Sequence, residues 1–355
     1  MLFVDSQGLG DVVQSLPLLR AVCHWADGRW PVRVLFATED HYELVREEKL
    51  KVISFFVSSV PRKPHSLLRL WSNLAGQSDL IVCAPEMSAA KLILLKYAIG
   101  ARYAVGEASA IYRRFLTFSK KASWIAPWTE TQDAIASALG IKTPLPPPSI
   151  SVSKNEVAWT ESALLRAGIG PAQPILGLQC SSVVPQKCWP AENYVKVVNA
   201  VYERYPGLCI VSFGNSVERP TADAVHKMAK PILWLEGAGN WGIRQSLAML
   251  RRCDLFVSGD TGLMHMAAAV GTRTVSIFGP TSAIRRAPVH NGGLAVCPQT
   301  PCHPCFRGAW TPCDCIRSIG ADRVIWAAIQ LLSKAGAVKD DRNRIYFEVA
   351  ENVEF

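Results

Sequence analysis

The sequence has no uncharged apolar run long enough to cross a membrane, and its first residues do not resemble a secretory signal. Lys91 and Lys96 interrupt the most apolar stretch, whereas a spanning helix needs about 20 apolar residues. The chain begins Met1-Leu2-Phe3-Val4-Asp5, with no basic segment and an acid at once. These two absences predict a protein that stays in the cytoplasm.

The sequence also lacks any run of five or more basic residues interleaved with aromatics, the pattern typical of a nucleic-acid groove. Its basic residues are scattered or paired, as in Arg113-Arg114 and Lys120-Lys121. The formal net charge is nevertheless +9. Positive charge favours an anionic partner, and without a basic run we expect a membrane surface or a phosphorylated small molecule rather than nucleic acid.

At 355 residues the chain exceeds what one hydrophobic core usually organises, and 49% of its residues are hydrophobic. Consecutive prolines at 146–148 can form neither a helix interior nor a central strand. We therefore predict a domain boundary there, with domains at 1–150 and 151–335. A charged tail follows at 336–355.

Short apolar runs alternate with helical patterns along the chain, as in parallel sheets with crossover helices. The first such unit is a strand at 2–4, a tight turn at Gly8-Leu9-Gly10 and a helix. The first half has further predicted strands at 32–37, 52–56 and 80–83, and helices at 42–48, 66–74 and 87–99. The second half has predicted strands at 175–178, 209–213, 232–235, 255–257 and 274–278, and helices at 191–205, 221–229, 243–252, 264–270 and 321–332. We expect two doubly wound α/β domains.

The first glycine motif, Gly8 and Gly10 before Asp11, lies between a strand and a helix. Glycines there let a ligand approach the backbone, and the helix start favours an anion. The dinucleotide fingerprint needs a third glycine where this chain has Val13, so the motif is weak evidence for NAD. Taken by itself, an acid at a helix start such as Asp11 is more often a cap than a catalytic residue.

The second glycine motif is Gly259-Asp260-Thr261-Gly262, with His265 one helical turn later. It follows an apolar strand and opens an apolar helix, so its N–H groups suit a diphosphate. A simple helix cap with a packed histidine fits equally well. Lys187 and the loop of Gly214 and Glu218 follow two other predicted strands, where they suit a phosphate and a ribose respectively.

These motifs occur together in the order of a known family. Residues 4–13 with Leu16-Pro17, then Lys187-Cys188-Trp189-Pro190, residues 258–269 and Phe278-Gly279-Pro280-Thr281 resemble the lipopolysaccharide heptosyltransferases, glycosyltransferase family nine. The resemblance extends to about residue 324. It implies the GT-B architecture, in which two Rossmann-like doubly wound domains face a central cleft.

The resemblance also implies site roles. Asp11 is the expected general base, with Gly8 and Gly10 forming the turn on the acceptor side. The donor-binding residues expected in the second domain are Lys187, Gly214, Glu218, Asp260, Thr261, Gly262 and His265.

The implied reaction is an inverting displacement at the anomeric carbon of a nucleotide sugar, ADP-heptose in this family. The chain has no Asp-x-Asp sequence, so no catalytic cofactor is expected. The expected acceptor is anionic and lipid-linked or glycan, such as a lipopolysaccharide core, and would bring the protein to the inner membrane as a peripheral protein. A capsule, O-antigen or protein acceptor remains open, as do an epimerase-like enzyme and a non-catalytic docking module.

The 11 cysteines fall into two groups. Six lie alone in predicted core elements and are expected to be buried thiols: Cys23, Cys83, Cys180, Cys188, Cys209 and Cys253. The other five are Cys297, Cys302, Cys305, Cys313 and Cys315. The last four of these offer thiolates for a structural zinc or iron ion, although the second pair has one intervening residue where two are usual and His303 competes as a ligand. The family resemblance adds that some protein heptosyltransferases hold iron in this region. Reduced thiols or a disulfide remain the alternative.

Overall fold

The computed structural model describes residues 1–5, 8–57, 72, 74–121, 126–230, 232–288, 292–300 and 313–333. Internal contacts divide the chain after Pro148. We call the part up to Pro148 the first unit and the part from Ser149 the second unit. The predicted tail at 336–355 and nearly all of the predicted helix at 66–74 lie outside the described residues.

The first unit contains one parallel sheet and helices that connect its strands. The strands are β1 (Leu2–Asp5), β2 (Arg33–Phe36), β3 (Ser54–Val57), β4 (Leu80–Cys83), β5 (Tyr103–Ala108) and β6 (Phe118–Lys121). The helices are α1 (Leu9–Ala26), α2 (Glu39–Val45), α3 (Ala89–Ile99) and α4 (Trp128–Ala138). The strand order is β3-β2-β1-β4-β5-β6, with every pair parallel.

The second unit repeats this architecture. Its strands are β7 (Ile175–Leu178), β8 (Cys209–Ser212), β9 (Trp234–Glu236), β10 (Leu255–Gly259), β11 (Arg273–Ile277) and β12 (Gly293–Val296). Its helices are α5 (Lys154–Arg166), α6 (Ala191–Arg204), α7 (Arg219–Met228), α8 (Ile243–Arg252), α9 (Gly262–Ala269), α10 (Ala283–Arg286) and α11 (Ala321–Ser333). The strand order is β12-β11-β10-β7-β8-β9, again all parallel.

The core of the second unit lies between its sheet and helices α6 and α11. Both faces of a parallel sheet are covered, which is why β7 and β8 are buried at every position. Trp189 is buried in this core, and its indole N–H donates to the Ile319 carbonyl at 2.9 Å. This contact anchors the loop between β7 and α6, which carries Lys187.

The prediction of two Rossmann-like α/β halves is confirmed, while several element assignments were incomplete. The apolar pattern missed β5, β6, β12, α4, α5 and the short helix α10. Helix α5 was not predicted because its first turn is polar. The helix begins with a capping box, in which the Ser153 side chain accepts a hydrogen bond from the Glu156 N–H. Five of the six isolated cysteines are buried as expected, but Cys188 is only half-buried because it lies in the Lys187 loop. In the described residues, no helix is long and apolar enough to span a membrane.

Candidate active site

The strand order of the second unit reverses between β7 and β10. The chain adds β8 and β9 beyond β7, and β11 and β12 beyond β10. The loops after β7 and β10 therefore diverge, and open parallel sheets bind ligands at such a point, outside the carboxyl ends of the strands. Most of the sequence-predicted donor residues follow these strands or their neighbour β8, and hydrogen bonds connect several of them.

Lys187 and Asp260 form a buried ion pair at this edge of the sheet. The Nζ of Lys187 lies 2.6 Å from Oδ2 of Asp260, and their side chains are 14% and 4% exposed. The Thr281 hydroxyl donates to the same carboxylate oxygen at 2.8 Å. Gly259 lets the Lys187 loop lie close, since a Cβ there would be 3.3 Å from the Lys187 carbonyl oxygen. Asp260 thus holds the lysine ammonium group at the carboxyl end of β10.

The charge of Asp260 is set by its neighbours. Burial raises the pKa of Asp260, but the positive charges of Lys187 and Arg286 and the hydrogen bond from Lys187 outweigh it, lowering the pKa to about 2. Asp260 is therefore ionised at neutral pH. A carboxylate repels phosphate, so the group in this ion pair that is suited to an anion is the Lys187 ammonium.

Helix α9 begins directly after this pair, with Thr261 as its N-cap. The Thr261 side chain makes no capping hydrogen bond; its hydroxyl donates instead to Oε1 of Gln179 at 2.6 Å. The hydroxyl therefore does not compete for the N–H groups of the first turn, which starts at Gly262 and can receive an anion. His265 lies one turn further along and is buried.

Gln179 links the start of α9 to the loop after β8, and no sequence motif identified it. Its side-chain Nε2 donates to Oε1 of Glu218 at 3.0 Å while its Oε1 accepts from Thr261. Its backbone N–H donates to the Val257 carbonyl at 3.0 Å, which extends the sheet by one residue. A polar residue directly after a fully buried strand is the signal that would have found it.

Glu218 is held in place by two donors. Besides Gln179, the Asn215 N–H donates to Oε2 of Glu218 at 2.9 Å. Gly214 has φ 137°, and a Cβ at this position would lie 3.0 Å from Oε2 of Glu218, so a larger residue would displace the carboxylate. Burial raises the pKa of Glu218, an effect that the hydrogen bonds from Asn215 and Gln179 partly oppose. The two donors thus fix the orientation of the carboxylate, whose oxygens can each accept a further hydrogen bond.

The candidate general base, Asp11, lies in the first turn of α1 in the first unit. Its Oδ2 accepts a hydrogen bond from the Gly8 N–H at 2.8 Å, and the residue is buried. The sequence predicted a turn over Gly8-Leu9-Gly10, but the helix already begins at Leu9, with Gly8 as its N-cap and Gly10 inside it. The reason is the Asp11 carboxylate, which satisfies the N–H of the N-cap residue and starts the helix earlier.

The proposed cysteine site is placed only in part. Cys302 and Cys305 lie outside the described residues, whereas Cys313 is half-buried and Cys315 is buried at the start of a short 3₁₀ turn, Cys315–Ser318. The part of the chain that the structure describes contains no group of three or more His, Cys, Asp or Glu residues placed to hold a metal. The four-cysteine metal site therefore stays a prediction.

Comparison with known sequences gives a consistent result. Residues 67–311 match the family described as Glycosyltransferase family 9 (heptosyltransferase). Lipooligosaccharide heptosyltransferase 2 of Haemophilus influenzae is 28% identical over 115 residues, which are 31% of this chain and 32% of that protein. The chain thus spans about a third of the length of this relative.

Known structures match over more of the chain. A family 9 glycosyltransferase from Veillonella parvula superposes with a TM-score of 0.78 at 18% identity, covering 94% of this chain and 97% of that one. The iron-containing dodecameric glycosyltransferase TibC of enterotoxigenic Escherichia coli gives a TM-score of 0.59 at 13% identity, covering 94% and 76%. These likenesses establish a GT-B fold. The match at residues 67–311, more than half of the chain, shows that the chain belongs to glycosyltransferase family 9, the heptosyltransferase family.

Proposed function

We propose that this protein transfers a heptose from ADP-heptose to a lipopolysaccharide-core or related cell-surface glycan. One observation carries the proposal: the ammonium group of Lys187, held 2.6 Å from Asp260, adjoins the start of α9 at the switch point of the second unit. A cation beside a helix N-terminus is suited to a diphosphate. The family match and a relative named as a heptosyltransferase support the sugar class.

The donor site would divide into two ends. Lys187 and the N–H groups of the α9 first turn would bind the diphosphate, and Glu218 would accept hydrogen bonds from ribose hydroxyls. Gln179 bridges the two ends, since it contacts both Thr261 and Glu218. The bridge would keep the phosphate-binding and ribose-binding groups at a constant separation.

The proposed reaction is a single displacement with inversion. An acceptor hydroxyl oxygen forms a bond to the anomeric carbon while the bond from that carbon to the diphosphate oxygen breaks. Asp11 takes the hydroxyl proton as general base. Lys187 and the helix dipole of α9 stabilise the negative charge that develops on the departing ADP. None of these steps requires a metal ion.

The experiment that tests the proposal has two stages. ADP, UDP, GDP and CDP are titrated against the full chain by thermal shift, and ADP is expected to raise the melting temperature most, because a ligand of the folded state stabilises it. ADP-heptose is then supplied with and without a heptose-deficient lipopolysaccharide core. Transfer only in the presence of the core supports the proposal. Conversion of the donor sugar without acceptor would instead support an epimerase-like enzyme.

We also propose that Cys302, Cys305, Cys313 and Cys315 hold one structural iron or zinc ion. Two of these thiols, Cys313 and Cys315, lie within one short described segment, and TibC of the same fold is iron-containing. Metal analysis of protein purified without chelators is expected to find about one ion per chain. The double substitution Cys313→Ser with Cys315→Ser should remove the ion. Cys23→Ser, which changes a buried and isolated thiol, should not. A native content near zero would contradict the site.

We propose further that the protein works in the cytoplasm as a peripheral protein of the inner membrane. The proposal rests on the positive net charge of +9 and on a lipid-linked acceptor of the kind that the family name implies.

A further inference from the structure

Helix α3 is apolar around its whole circumference, yet one side of it faces solvent. Its 11 residues, Ala-Ala-Lys-Leu-Ile-Leu-Leu-Lys-Tyr-Ala-Ile, contain only Lys91 and Lys96 as charged residues. Leu92 is buried against the sheet, whereas Leu94 is 70% exposed and Tyr97 is 65% exposed. A helix that is apolar on all sides is normally buried on all sides. The outer side of α3 is therefore a candidate contact surface.

A second exposed apolar segment lies beside this helix. Ile111 is 65% exposed and Tyr112 is 36% exposed, and both precede the 3₁₀ turn Arg113–Phe115. The Nζ of Lys96 donates to the Phe115 carbonyl at 3.0 Å, which holds this turn against the end of α3. We call the combined surface of Lys91, Leu94, Tyr97, Ile111, Tyr112 and Arg113 the α3 surface.

The charged side chains of the segment that carries this surface are nearly all positive. Residues 88–121 contain seven basic residues and a single acid, Glu107. Glu107 is buried and accepts a hydrogen bond from the Glu86 N–H, so it does not contribute a surface charge. Arg102 and Lys120 are paired with acids from outside this range. The remaining basic residues give the α3 surface a positive potential interspersed with large apolar side chains.

The types of exposed apolar residue differ between the two units. In the described residues, the exposed aromatic side chains of Trp and Tyr all lie in the first unit: Trp30, Tyr97, Tyr103 and Tyr112. The exposed large apolar residues of the second unit are all aliphatic: Leu165, Val183, Val217, Met228, Leu233 and Ile284. Tyrosine beside lysine and arginine is the combination found where proteins meet the headgroup region of a bilayer.

We propose that the α3 surface docks on a bilayer that contains anionic lipids. Leu94, Tyr97, Ile111 and Tyr112 enter the headgroup region, and the neighbouring basic residues contact the lipid phosphates. The proposal names the surface through which the protein would bind the membrane. It uses observations from the first unit alone and does not depend on any transfer activity.

The test is sedimentation of the full chain with vesicles of phosphatidylethanolamine and phosphatidylglycerol, compared with pure phosphatidylcholine. Binding is expected to the anionic vesicles only and to weaken in high salt, because screening removes the electrostatic part. The double variants Leu94→Ser/Tyr97→Ser and Arg113→Glu/Arg114→Glu are each expected to lower the partition coefficient about tenfold or more.

The matched control lies on α5, where Leu165 is 76% exposed and Arg166 is exposed beside it. Leu165→Ser/Arg166→Glu makes one change of each kind, Leu→Ser and Arg→Glu, and should leave vesicle binding nearly unchanged. A melting temperature equal to that of the native chain shows that a variant folds. If a variant does not fold, the salt dependence of vesicle binding by the native chain still tests the proposal. The proposal is overturned if the native chain does not bind anionic vesicles, or if the α3 variants bind them as well as the control variant does. A dimer that Leu94→Ser/Tyr97→Ser breaks, without vesicle binding, would also overturn it and identify a second copy as the occupant.

Discussion

The candidate site residues of the two units differ in how far apart in sequence their contact partners lie. In the second unit, the contacts of Gln179 with Glu218, of Lys187 with Asp260 and of Gln179 with Thr261 span 39, 73 and 82 residues of sequence. In the first unit, the contact between Asp11 and Gly8 spans 3 residues. The donor-side contacts therefore depend on the folded sheet, whereas the contact between Asp11 and Gly8 lies within one turn of one helix.

This difference predicts how substitutions behave. A change in the second unit breaks contacts between distant segments, so ligand binding and stability should change together. A change at Asp11 leaves the fold intact when the new residue still accepts the Gly8 N–H, so turnover should change alone. The following substitutions test this distinction.

Asp11→Asn is expected to have the largest effect on catalysis. The amide oxygen still accepts the Gly8 N–H but cannot take a proton, so the loss of general base catalysis should lower kcat about 1,000-fold. ADP affinity and melting temperature should stay near native. Asp133→Asn is the matched control, because Asp133 also accepts a backbone N–H, that of Leu145 at 2.8 Å. Turnover of Asp11→Asn within a few-fold of native would remove Asp11 from its role.

Lys187→Ala should lower kcat/KM about 100-fold, since it removes a charge that stabilises the leaving diphosphate. It also leaves Asp260 buried without its cation, so the free energy of unfolding should fall by about 2 to 3 kcal/mol. Adding Asp260→Asn should restore much of the stability and none of the transfer.

The control for Lys187→Ala is Lys230→Ala, which removes a lysine from an exposed pair with Glu203 and should change neither quantity measurably. Denaturant unfolding and steady-state kinetics measure both effects. If Lys187→Ala altered turnover but not stability, the second unit would resemble the first, and the distinction between the units would fail.

Gln179→Leu should weaken ADP binding about tenfold, because Thr261 and Glu218 each lose a hydrogen-bond partner and their separation is no longer set. Gln173→Leu provides a control at the opposite end of β7. Gln173 also makes two side-chain hydrogen bonds, to the Gly170 N–H and the Gly207 carbonyl. Gln179→Leu should lose more stability, because Gln179 is buried and Gln173 is partly exposed, and only Gln179→Leu should lose ADP affinity by calorimetry. Equal affinity in the two variants would make Gln179 purely structural.

The smallest expected effect is a pH dependence of ADP binding. Burial raises the pKa of Glu218, so on acidification the carboxylate takes up a proton at a higher pH than an ordinary glutamate and stops accepting both ribose hydroxyls. Affinity should fall a few-fold as the pH drops from 7.5 toward 5. Asp260, with a pKa of about 2, stays ionised in this range. Glu218→Gln should bind more weakly at pH 7.5 and lose the dependence. A parallel decline in both proteins would assign the titration to another group.

Local sequence was enough to identify candidate residues that belong to a motif of characteristic spacing. Gly259-Asp260-Thr261-Gly262 follows a buried strand, and the strand-to-helix transition there exposes N–H groups whatever the rest of the fold does. Gln179 shows the limit of this reasoning. Its place directly after the buried strand β7 is a local signal that makes it a candidate. Its partners, however, come from two other loops, so no local pattern shows which residues it joins.

The sequence alone determined the fold class, the order of the motifs and the chemical type of the candidate residues, because apolar periodicity and glycine placement are local properties. Only the tertiary structure decided that Asp260 holds Lys187, that Gln179 joins Thr261 to Glu218, and that α3 leaves Leu94 and Tyr97 uncovered. These facts depend on which strands become neighbours and which helix faces receive a partner. Such long-range pairing is settled by packing of the whole chain.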